Sequence, residues 1–155
     1  MSWRVLPALV LMTSVTACAA AAPGWSPTVG VQLTTPQKLN VSVGITTIPL
    51  GGVLSSDGGL LVRLEPGLSG GKVHAGLRTS LSMVFIPMVS ADMCASLLYT
   101  WNDPWGGLEN DQTYLGAELR ACAVPVIVSG GIYRHVAGDD TENEWVFSMG
   151  AGVGI

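Results

Sequence analysis

The sequence predicts an all-β chain: an eight-stranded antiparallel up-and-down transmembrane β-barrel behind an N-terminal export signal. Three observations carry this reading. From Gly24 onward, apolar and polar residues alternate with period two, as strands with two unlike faces require. Gly, Pro, Asn and Asp break that alternation into eight runs. And within the strand cores the charged side chains share one face, while the other face carries none.

The runs follow in order. The first, about 28–34, sets Val29, Val31 and Leu33 on one face. The second, about 39–48, sets Leu39, Val41, Val43 and Ile45 against Asn40, Ser42, Gly44 and Thr46. The third, "LLVRLE", opposes Leu60, Val62 and Leu64 to Leu61, Arg63 and Glu65. The fourth, from Lys72 to about Phe85, opposes Val73, Ala75, Leu77 and Leu81 to Lys72, His74, Gly76, Arg78 and Ser80; "IPM" at 86–88 then reads as a turn. The fifth ends in "MCASLLYTW", the sixth is "TYLGAELRACA" and the seventh is "VIVSGGIYRH". The eighth, "WVFSMGAGVGI", is apolar at every second position and has Ser and Gly at most of the others, so its small face leaves room for larger side chains from neighbouring strands.

The distribution of charge decides what kind of barrel this is. The outward face carries no Asp, Glu, Lys or Arg within the strand cores, with Arg134 near one strand end. The inward face carries Arg63, Glu65, Lys72, Arg78, Glu118 and Arg120. A soluble ligand-binding barrel has the opposite polarity. An apolar exterior suits lipid, and interior charges are tolerated where they pair. Strands of about 10 residues, tilted about 40°, rise about 25 Å, the height of such a barrel's apolar band. The chain is 48% hydrophobic and 12% charged, and its formal charge of −4 excludes a generally basic nucleic-acid binder.

Residues 1–22, "MSWRVLPALVLMTSVTACAAAA", read as a signal peptide: one Arg, an apolar run, then small residues. Two cleavage routes are open. Val15-Thr16-Ala17-Cys18 has lipobox spacing, which would leave Cys18 lipidated; the alanine run offers ordinary cleavage sites. Residues 23–155 then form the barrel domain.

With eight alternating runs and this charge pattern, the chain resembles the small eight-stranded outer-membrane β-barrels of Gram-negative bacteria. The resemblance covers roughly residues 25–155 and is one of pattern. It implies termini in the periplasm and longer loops outside, here "NDPWGGLENDQ" and "VAGDDTENE", with "VP" at 124–125 as a tight periplasmic turn. It also implies an aromatic girdle at the outer interface, formed by Trp101, Tyr114, Tyr133 and Trp145, with Trp25 and Phe85 near the inner one. The chain departs from the family in its short external turn at "PQK", its long "PLGGVLSSDGG" segment and its terminal Ile155, where the family ends in an aromatic residue. The implied location is the bacterial outer membrane. The implied partners are membrane lipid and the outer-membrane assembly machinery, with no nucleic acid and no cofactor.

Several side chains invite chemistry. Cys94 and Cys122 flank the long loop symmetrically, and a register pairing them would also pair Ser96 with Arg120 and Leu97 with Leu119. In an oxidising periplasm that predicts a disulfide. Arg63, Glu65, Lys72, His74, Arg78, Glu118 and Arg120 are expected to form a lumen charge network: Glu65 near Lys72, Arg63 near His74, and Arg78, Glu118 and Arg120 as a second group. Asp103, Glu109, Asp111, Asp139, Asp140, Glu142 and Glu144 make the external loops acidic. A solvated rim is the preferred reading; divalent cations are the alternative, although the spacing of an EF-hand is missing. His135 has no local Ser partner, so neither a catalytic nor a metal site is assigned. The resulting expectation is a non-enzymatic barrel with a structural or surface-interaction role. A lipid-modifying membrane enzyme and a narrow channel are the alternatives.

Overall fold

The computed structural model describes residues 25–47, 56–83, 86–139 and 144–154. Residues 1–22, including Cys18, together with Phe85, Asp140, Glu142 and Ile155, lie outside the described residues. The described chain is all-β: β1 (Trp25–Thr34), β2 (Lys38–Thr47), β3 (Ser56–Gly67), β4 (Gly70–Met83), β5 (Ile86–Thr100), β6 (Thr113–Ala123), β7 (Val126–Ala137) and β8 (Trp145–Gly154). Each strand pairs antiparallel with the next, and β1 pairs with β8, so the sheet closes as a barrel with no free edge. The C-terminal ends of β1, β3, β5 and β7 lie at one rim of the barrel, and those of β2, β4 and β6 at the other.

The two faces separate as the alternation requires. Leu60, Val62, Leu64, Leu77, Met93, Leu97, Leu115, Leu119, Phe147 and Met149 stand exposed on the exterior. The alternate residues are buried in the lumen, and most of them are polar. Glycine on β8 serves that packing. A Cβ on Gly152 would lie 2.5 Å from Gln32 Cγ, and one on Gly154 would lie 2.7 Å from Ile127 Cδ1, so the missing side chains are space that β1 and β7 fill.

Three expectations are corrected. "IPM" is no turn: Ile86 and Pro87 belong to β5 and pair with Met83 and Ser82. Cys94 and Cys122 do not face each other. Cys94 pairs with Glu118 and Cys122 with Ser90, so the strands are offset by four residues from the predicted register. At about 3.4 Å per residue that offset is about 14 Å, far beyond disulfide reach; both cysteines are free and buried. An even slip keeps every side chain on its face, so the polarity pattern could not detect it.

The third correction concerns the aromatic residues. Tyr114 and Tyr133 point inward and are wholly buried, packed with Leu98 and Val146. Tyr114 shares the parity of Glu118 and Arg120, and the Tyr133 hydroxyl donates to Glu118 Oε2 at 2.7 Å, so both rings are drawn inside. Trp145 does face outward, beside Arg134, whose guanidinium carbon lies 5.9 Å from the ring centroid. Trp101 packs at 5.9 Å from Tyr99, an exterior aromatic residue that the sequence reading passed over.

Candidate functional site: the charged lumen

The lumen brings together all seven predicted charged or titratable residues, and an eighth, Asp92. β3 supplies Arg63 and Glu65; β4 supplies Lys72, His74 and Arg78; β5 supplies Asp92; β6 supplies Glu118 and Arg120. Each sits at an inward position of its strand, and only Arg78 is partly open. The sequence signal for Asp92 was available: Asp92, Cys94 and Ser96 alternate with Met93, Ala95 and Leu97. Reading "IPM" as a turn left the start of that strand, and so Asp92, out of view.

Arg63 is the hub. Its Nε lies 2.8 Å from Glu65 Oε1, its Nη1 2.6 Å from Asp92 Oδ2 and its Nη2 3.7 Å from Glu118 Oε1. Arg120 Nη1 also reaches Glu65 Oε1, at 2.8 Å, and its Nη2 donates to Ser42 Oγ at 3.2 Å. Arg78 Nε donates to Asp92 Oδ1 at 2.7 Å. Lys72 Nζ donates to Glu118 Oε2 at 2.8 Å and to Ser148 Oγ at 2.7 Å. The groups therefore differ from the expectation in detail. Glu65 stands opposite Lys72 in register but binds Arg63 and Arg120, and Arg78 binds Asp92 rather than Glu118. Pairing of this kind is what makes buried charge tolerable, because an unpaired buried ion is far costlier than a paired one.

His74 completes a second line of contacts. Its Nδ1 lies 2.6 Å from Ser96 Oγ and its Nε2 3.2 Å from Glu65 Oε2. Serine, histidine and carboxylate in line suggest a nucleophile, but all three are buried and no substrate could reach Ser96 without the wall opening. Ligand atoms of Glu65, His74 and Glu118 also lie within 4.8 Å of one another, a spacing that could hold a metal ion. The surroundings oppose it. Both carboxylates already bind Arg63, Arg120 or Lys72, and among the described side chains four cations already face three carboxylates.

Above the charged layer the described lumen turns apolar. Leu98, Tyr114, Tyr133 and Val146 form an apolar layer, and Leu108 of the β5–β6 loop packs onto it. That loop is tied across the mouth: Trp105 N donates to Pro36 O at 3.0 Å, Asn102 Nδ2 to Leu68 O at 3.2 Å and Lys38 Nζ to Asp103 Oδ2 at 3.1 Å. His135 lies beside this layer, its ring edge-on to Tyr114 at 5.3 Å and its Nε2 3.0 Å from Gln112 Oε1. Several rim carboxylates already have partners: Asp103 with Lys38, Glu144 with Arg134, and Asp111 with the Tyr99 hydroxyl.

The fold and the site together define a closed eight-stranded barrel with an apolar exterior and a charge-filled, capped lumen. Comparison with protein-family models, curated proteins and solved structures returns no match.

Proposed function

We propose that the chain is an exported, non-enzymatic outer-membrane barrel with a structural or surface-interaction role. On this reading residues 1–22 direct export, by ordinary cleavage or by lipidation at Cys18. The barrel then inserts with its capped, loop-bearing end outward. One observation carries the reading: the barrel's polarity is inverted. Leucine, valine, methionine and phenylalanine side chains stand exposed on all sides of the wall, while arginine, lysine and carboxylates are buried within it. Water is a poor solvent for such an exterior and lipid a good one. The ion-paired lumen and the apolar layer beneath the loop favour a plugged barrel over a channel. The partners on this reading are lipid and the machinery that assembles outer-membrane barrels.

Cell fractionation tests the proposal. Epitope-tagged protein is expected to partition with the outer membrane and to resist extraction by high salt or carbonate. Recovery as a soluble periplasmic protein would overturn it.

A further inference from the structure

The line Ser96–His74–Glu65 has two ways of carrying its protons, and they differ by one charge. With His74 neutral, Nδ1 accepts from the Ser96 hydroxyl, 2.6 Å away, while Nε2 lies 3.2 Å from Glu65 Oε2 without an aligned hydrogen bond. With His74 charged, both ring nitrogens donate, so Ser96 must turn its hydroxyl elsewhere and accept.

The groups facing His74 are set to respond. β3 presents Arg63, its cross-strand partner, and Glu65. β5 presents Ser96 and, beyond it, the Cys94 thiol and Asp92; β6 presents Glu118 and, beyond it, Arg120; β7 presents the Tyr133 hydroxyl, bound to Glu118; and Lys72 and Arg78 lie on its own strand. Glu65 is the contested member, since Arg63 Nε and Arg120 Nη1 both lie 2.8 Å from its Oε1. Each arginine has somewhere else to go. Arg63 also holds Asp92 and lies 3.7 Å from Glu118, Arg120 also reaches Ser42, and Arg63 Nη2 and Arg120 Nε make no hydrogen bond.

We propose that His74 is a proton-operated switch in the lumen. One proton taken up at Nδ1 reverses the Ser96 hydroxyl and fixes a positive charge on Glu65, and Arg63 and Arg120 then shift toward their other partners. The balance is simple: one proton enters from solvent, no bond between heavy atoms changes, and the lumen gains one unit of charge. A fifth cation among the described lumen side chains must redistribute the pairings, because three carboxylates already serve four. The inference concerns the lumen alone and does not depend on which medium surrounds the barrel.

The experiment is ¹⁵N NMR of the purified, folded full chain with labelled histidine and arginine, in detergent micelles, from pH 4 to 9. The expected result is a single-proton transition of the buried His74 imidazole, with the Arg63 and Arg120 Nε signals moving at the same midpoint. A His74 ring that holds one protonation state throughout would overturn the proposal, as would one that titrates while both arginine signals stay still. His74→Gln is the control. Its arginine signals should lose the transition seen in the wild type, and if they still move with the same midpoint, another group is the switch and the proposal fails. The wild-type titration decides the matter even if that variant does not fold.

Discussion

Arg63 on β3 reaches across the lumen to Asp92 on β5, with Nη1 donating to Oδ2 at 2.6 Å, although the two strands share no edge. The same guanidinium contacts Glu65 and Glu118, so a single side chain ties three strands together from inside. Replacing it with an apolar residue of similar length removes a shared cation from Glu65, Asp92 and Glu118, each of which keeps one other partner, Arg120, Arg78 and Lys72 respectively. Arg63→Met is expected to destabilise the barrel by about 3–5 kcal/mol, the usual cost of breaking a buried pair from one side. Urea titration of the refolded protein in lipid vesicles checks this, and an unchanged midpoint would show that Arg63 is not the hub.

Leu119 stands 62% exposed on the outer wall, immediately beside buried Glu118. If lipid surrounds that wall, Leu119→Arg should cost about 2–4 kcal/mol near the midplane. In a water-soluble barrel the same change would be harmless. Assembly yield and unfolding midpoint of the variant in vesicles separate the two cases.

Both cysteines should be present as thiols in the folded protein. Alkylation with a small reagent is expected to be slow before unfolding, since both side chains are buried, and complete afterwards without any reductant. Mass mapping that found a peptide joining Cys94 to Cys122 would contradict the β5–β6 register.

Gly116 has no space for a side chain. A Cβ there would lie 2.1 Å from Ile132 O and 2.7 Å from Tyr133 Cα, both backbone atoms that cannot swing away. Gly116→Val is therefore expected to lose about 3 kcal/mol, at the upper end for overpacked positions. The unfolding midpoint reports it, and a wild-type value would mean that β6 and β7 are further apart than described.

Leu108 is the loop's apolar anchor on the layer of Leu98, Tyr114, Tyr133 and Val146. Leu108→Ser should free residues 101–112 while leaving the strands intact. Amide hydrogen exchange is expected to accelerate within the loop and to stay unchanged in β5 and β6. Equal acceleration in the strands would mean that the loop is part of the barrel's cooperative unit.

Side-chain alternation is a property of the strand backbone itself, so it can be read one strand at a time. The bounds of β6 read from the sequence, 113–123, coincide with those of the structure, and the inward placement of Arg63, Lys72 and Glu118 follows from the same local rule. So do the number of strands and the contrast between an apolar wall and a polar lumen. What parity cannot express is which inward residues meet. A slip of two or four residues preserves every face, so Cys94 opposite Cys122 satisfied the pattern as well as Cys94 opposite Glu118 does. The barrel discriminates between them because its closure is collective. Glu118 must reach Lys72 and Tyr133, Arg63 must reach Asp92 two strands away, and the ring of Tyr133 must fill space that Gly116 and Gly131 leave open. The sequence by itself determined the strands, their two faces and the inverted polarity, because these depend on the backbone's period of two. Only the tertiary structure decided the register and the pairing of charges, because buried ions and side-chain volumes are balanced across the whole lumen at once.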